Sequence, residues 1–295
     1  MIRPALLACA ALLTDPALAR TPPTTPATAP APATQMDHIS VTAIGRGSPV
    51  ILIPGLASPR AVWDGVADDL ARTHRVYRVQ VNGFDGDDPR GNLKPGILDG
   101  VVADLHTLVA RDKLTGAAVV GHSMGGLVGL MLADRHPADV GRLMIVDALP
   151  FIGTLFDPAA TVATGEPRAA MMRTMMRAAK PGAAMAGPPM SITPAGQAQV
   201  AAWSARADPR VVAQALYEDL TTDLRPKLTG IRTPITMLYP WSASAVPQAT
   251  AAALYGTAYA SAPNATLLPV ADSYHFIMLD QPARFAAALE DFLKR

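Results

Sequence analysis

Short apolar runs, most of them rich in β-branched residues, alternate along this chain with longer segments of helical period, and no other feature constrains the fold as strongly. The runs fall at residues 38–44, 50–53, 76–81, 117–121, 143–146, 235–239 and 266–270. Their length and composition suit strands. Helical patterns lie between them at about 60–72, 97–113, 125–135, 247–259 and 282–294. Such alternation predicts an α/β fold, a mostly parallel twisted sheet with helices on both faces.

The alternation breaks once. Residues 149–230 hold no strand-like run, only Ala- and Met-rich helical stretches parted by Lys180-Pro181-Gly182 and Gly187-Pro188-Pro189. This segment predicts an inserted helical lid, with residues 37–148 and 231–295 as the core. A chain of 295 residues, half of them apolar and 17% charged, is long enough for one large domain carrying such an insertion. A net charge of +1 with no basic stripe gives nucleic acid no electrostatic footprint.

The N-terminal residues 1–19 combine Arg3, an apolar stretch and the small-x-small ending Ala17-Leu18-Ala19, the pattern of a secretory signal cleaved before Arg20. The expected location is therefore periplasmic or secreted, with no stable membrane span in the mature protein. Cys9 is the only cysteine, and its Leu-Leu-Ala-Cys setting faintly resembles a lipid-acylation site. Cleavage before Arg20 would leave no thiol for a disulfide or for catalysis. Residues 20–36 are dominated by Pro, Thr and Ala and are expected to form an extended tether.

Gly121-His122-Ser123-Met124-Gly125 fits G-x-S-x-G, between a strand and a helix. On this motif and its setting the chain resembles the α/β-hydrolase family, in its serine esterase branch, from about residue 38 to the end. The resemblance implies that Ser123 is the nucleophile, exposed on a sharp turn whose flanking glycines permit close approach. It further implies an oxyanion hole from the backbone N–H groups of Leu56 and Met124. Pro54, in Ile53-Pro54-Gly55-Leu56, stands where many relatives carry histidine.

A serine hydroxyl needs a base to take its proton. Of six histidines, His275 lies just after the last strand run and before the terminal helix, the family's base position. The acid departs from the commonest pattern, because 240–245 contains no carboxylate. A subset of the family takes the acid from the end of the preceding strand, where Asp147 stands, and its task would be to hold the imidazole in the right tautomer. Asp272, a dyad assisted by water or Ser242, and a structural role for Asp147 remain open alternatives, while Asp280 reads as the N-cap of the last helix.

Lid methionines Met171, Met172, Met175, Met176, Met185 and Met190 recur at helical spacing and are expected either to form an adaptable apolar pocket over Ser123 or to pack the lid onto the core. Phe151, Phe156 and Trp203 could add pocket wall. The loop at 82–88, with three aspartates, lacks the closing glutamate of a calcium loop and reads as a solvated turn. The expected substrate is a small to medium apolar ester cleaved without cofactor or metal. Lactone, thioester, carbon–carbon and perhydrolase chemistry share this machinery, and a non-catalytic small-ligand binder on the same fold is the reading from another class.

Overall fold

The computed structural model describes residues 33–179 and 187–294. The signal segment, Cys9, most of the tether and Met185 lie outside the described residues.

Eight strands form one sheet: β1 (Thr34–Gln35), β2 (Ile39–Gly45), β3 (Ser48–Ile53), β4 (His74–Val81), β5 (Ala117–His122), β6 (Val140–Val146), β7 (Ile235–Trp241) and β8 (Ala265–Ala271). Their order is β1-β2-β4-β3-β5-β6-β7-β8. β2 runs antiparallel to β1 and β4, and every pairing from β4 through β8 is parallel. Two details differ from the sequence reading. Thr34 and Gln35, at the end of the expected tether, add an edge strand, and β4 opens at His74, two residues ahead of the expected run.

The core helices are α1 (Asp64–Leu70), α2 (Ile97–Asp112), α3 (Met124–Arg135), α7 (Gln248–Ala258), α8 (Ile277–Asp280) and α9 (Pro282–Lys294). Successive residues of a strand point to opposite faces. Ile51, Ile53, Val119, Leu143 and Ile145 therefore enter one apolar layer with α2, α3 and α7. Val50, Leu52, Val120, Met144 and Val146 enter the other with α1 and α9. Burial on both faces is why these strands read as unbroken apolar runs rather than as alternating ones. Leu105 of α2 is fully buried, and its truncation to alanine should cost about 2–5 kcal/mol.

The insertion between β6 and β7 holds α4 (Val162–Arg177), α5 (Pro194–Arg206) and α6 (Pro209–Thr221). Thr161, Thr193 and Asp208 cap their N-termini through side-chain oxygens, and α5 and α6 begin with proline, whose missing N–H costs nothing there. Glu218 of α6 accepts from the backbone N–H groups of Gly96 (2.7 Å) and Leu98 (2.9 Å), tying the lid to the start of α2. The 82–88 turn is less solvated than expected at its root. Asn82 and Phe84 are buried, Asp87 accepts from the N–H groups of Gly83 and Asp85, and Asp85 pairs with Arg206 of α5.

Candidate active site

β5 delivers the chain to Ser123 at φ 54° and ψ −127°, and α3 begins at the next residue. Such a conformation costs on the order of 1–3 kcal/mol and persists only when its surroundings enforce it. Here the enforcement is visible. A Cβ on Gly121 would sit 2.2 Å from the carbonyl oxygen of Gly125, and one on Gly125 would sit 2.4 Å from that of Ile53 and 2.6 Å from that of Pro54. Only glycine fits either position, and the Ser123 N–H is fixed by the Val146 carbonyl at 3.0 Å.

The 53–56 segment lies directly against this turn, since a Cβ on Gly55 would come within 2.9 Å of the Ser123 Cβ. Met124 opens α3, where first-turn N–H groups lack partners within the helix. Among the described residues, neither the Met124 N–H nor the Leu56 N–H donates to a protein acceptor. Two uncommitted donors thus lie on the two segments that meet at this turn.

His275 follows β8, and its Nδ1 lies 2.6 Å from Oδ2 of Asp147, which closes β6 at φ 49°. Tyr255 of α7 donates its hydroxyl to the other carboxylate oxygen of Asp147. Burial and the Asp147 charge push the Tyr255 hydroxyl well above its ordinary range, so it remains a donor. With Nδ1–H given to the carboxylate, Nε2 of the neutral ring is the acceptor nitrogen. Ser123, Asp147 and His275 all line one cavity of about 380 Å³. No hydrogen bond joins the Ser123 hydroxyl to His275, a common state of a serine and its base before substrate brings them together.

Two contributors carried no sequence signal. His122 is buried, and its Nε2 lies 3.0 Å from the main-chain oxygen of His275, the geometry of a donated hydrogen bond. Burial first, and then the neighbouring His275, hold the His122 ring well below the usual histidine range, so it stays neutral. Tyr255 could not have been singled out either, because its partner lies 108 residues away.

The alternatives for the acid fall elsewhere. Ser242 is occupied with Ser244, and Asp272 is a positive-φ turn residue whose main-chain carbonyl accepts from Gln281. Asp280 does not cap the last helix. It accepts from the N–H of Tyr274 (2.8 Å), from the N–H of Ile192 (3.1 Å) and from the Ser191 hydroxyl.

The methionine pocket is a further correction. Met171 and Met175 are exposed on the outer side of the lid, Met175 at 66%, and Met176 packs against the core. None of the described lid methionines lines the cavity, whose apolar wall comes from residues such as Leu127, Leu149, Ile152, Trp241 and Leu254. Three- and four-residue spacing placed the methionines on one face without deciding which way that face turned. Phe151 is buried, Phe156 is exposed, and Trp203 packs on Phe276 beneath the other sheet face.

Among the described residues one group has the composition of a metal site, His106, His136 and Asp139. Its imidazoles stack at 3.8 Å with planes only 11° apart. Nearly parallel planes share no point at which one ion could lie in both, and His106 Nδ1 is already 2.7 Å from Asp139. The group lies outside the cavity.

A pimeloyl-[acyl-carrier protein] methyl ester esterase of Nitrosomonas europaea is 32% identical over 39% of this chain and 43% of that protein. An N-formylmaleamate deformylase of Pseudomonas putida is 31% identical over 35% of this chain and 38% of its own length. The chain therefore spans less than half the length of these curated relatives. Among solved structures, an esterase from Thermogutta terrifontis superposes with a TM-score of 0.73 at 18% identity, over 90% of this chain and 98% of that one. An enol-lactonase from Burkholderia xenovorans gives 0.66 at 21%, over 87% and 96%. Identity that low speaks to the fold alone. The sequence model of the alpha/beta hydrolase family, however, matches residues 50–288, nearly the whole of the sheet and lid, and the chain belongs to that family.

Proposed function

We propose that this chain hydrolyses carboxylic esters of small to medium apolar compounds through an acyl-enzyme on Ser123. The observation that carries the reading is the Asp147–His275 contact of 2.6 Å in the same cavity as a serine held on a strained elbow. His275 Nε2 takes the Ser123 proton as Oγ attacks the ester carbonyl, and the oxygen that gains negative charge is received by the N–H groups of Leu56 and Met124. Each such donor is worth about 3 kcal/mol to the transition state. The imidazolium, stabilised by Asp147, returns its proton to the departing alkoxide. Water then attacks the acyl-enzyme with the same base, releasing the acid and restoring Ser123.

An apolar wall supports an apolar substrate, and 380 Å³ suits a small to medium molecule. The relatives' named substrates include a methyl ester and an N-formyl compound, so the panel that tests the reading includes lactones, thioesters and formamides beside chromogenic esters. A fluorophosphonate should label Ser123 in the wild type and not in a His275→Ala variant. A folded protein that is neither labelled nor active on any ester would be a binder rather than an enzyme. The N-terminal pattern further supports export, which cell fractionation checks; no described helix is long and apolar enough to cross a membrane.

A further inference from the structure

One carboxylate in the cavity has no role in the chemistry above. Asp219 of α6 lines the cavity with Ser123 and His275, yet the residue is only 5% exposed. Nearby carboxylates are each committed: Asp147 to His275 and Tyr255, Glu218 to the start of α2, Glu166 to Tyr217, Asp223 to Arg225, and Asp280 to Ser191 and Tyr274. Among the described residues no N–H or O–H donates to Asp219.

A carboxyl group this far from bulk water and without a protein donor is costly, because its desolvation is offset only by what the cavity itself offers the oxygens. Burial accordingly pushes it up to about 7, against the opposing pull of the His275 charge. No hydrogen bond or ion pair among the described residues uses the group. Its neighbour Glu218 makes the anchoring contacts of this helix turn, and one residue further on the side chain turns instead to the cavity. A carboxylate that costs stability and faces the space a substrate enters is placed to accept a hydrogen bond from that substrate.

We propose that Asp219 is a specificity-determining residue that accepts a hydrogen bond from an ammonium group on the substrate, so that the preferred esters carry a protonated amine on an otherwise apolar body. This rests on the ester-hydrolase reading above. An ammonium both pairs the charge and supplies a donor, while a purely alkyl substrate fills the space beside the carboxylate without offering it one. The surrounding apolar wall strengthens such a contact by excluding water.

The test compares methyl esters of ω-amino acids of increasing chain length with alkanoate esters in which a methyl group replaces the ammonium. Rates are followed by acid release at about pH 8, where the amine is protonated and Asp219 ionised. The expected result is a preference in kcat/KM of about tenfold or more for at least one ammonium ester over its isostere, collapsing toward parity in Asp219→Asn. Wild-type turnover of alkyl esters with no ammonium preference at any length overturns the proposal and leaves the hydrolase reading intact. That arm decides without any variant. A preference that persists in Asp219→Asn, or in Asp219→Leu should the first variant fold poorly, also overturns it. Absence of ester turnover together with absence of fluorophosphonate labelling removes the hydrolase reading itself.

Discussion

Asp219 makes a prediction about stability that is independent of any substrate. Its carboxyl ionises near 3.8 in an unfolded chain and at about 7 in the folded one. Between those values the folded state keeps a proton that the unfolded state has released. The free energy of unfolding must then fall as pH rises, by about 1.4 kcal/mol per pH unit, and level off above about 7. The sign follows from the raised folded value: the contribution is fully present below pH 3.8 and lost on passing through about 7. The total, across roughly three pH units, is about 4 kcal/mol. Asp219→Asn is nearly isosteric and cannot ionise, so the difference in unfolding free energy between variant and wild type should grow by about 3 kcal/mol of that total between pH 4 and pH 7. Urea unfolding across that range measures it, and subtracting the two proteins removes the other titrating groups, apart from His275, which acts on Asp219 directly. A difference that stays flat within about 1 kcal/mol would refute the claim that burial without a protein donor raises this carboxyl.

Other residues give sharper tests of the site. Asp147→Asn should lower kcat about 10⁴-fold with the fold intact, because the ring loses its tautomer control, and near-normal turnover would remove Asp147 from the triad. Tyr255→Phe deletes one donor to the same carboxylate and should reduce stability by about 1 kcal/mol, seen as a lowered Tm, with a smaller fall in kcat than Asp147→Asn. Gly125→Ala drives a methyl group onto the Ile53 and Pro54 carbonyls, so the segment bearing Leu56 must shift. Ester turnover should fall about 10²–10³-fold, read against circular dichroism that reports whether the fold survives.

The strands and helices of the core were legible because each is buried in the way its composition demands. Ile51 and Leu52, adjacent in sequence, enter opposite apolar layers, and such two-sided burial leaves an unbroken apolar run. The elbow was legible because close approach at Gly121 and Gly125 admits only one residue type. β1 was not, since two residues at the end of a Pro/Thr/Ala tract pair through backbone groups that any side chain supplies. The methionine face misled for a related reason: periodicity identifies a face but not its neighbour. Asp219 and His122 escaped notice because a lone aspartate in a helix and a histidine beside a serine acquire meaning only from what lies across the cavity.

The grip of Asp280 bears on how a substrate gets in. One carboxylate holds the backbone of Ile192, the hydroxyl of Ser191 and the backbone of Tyr274, while the Phe276 N–H bonds to the Met190 carbonyl. Pro188 and Pro189, which roof the cavity, are therefore moored to the same stretch of chain that presents His275. Movement of this segment would have to break those bonds or carry the 274–276 stretch with it. Ile152 and the half-exposed Leu155 border the same cavity without sharing that mooring, and mutations that shorten their side chains should change which molecules enter before they change how fast bonds break.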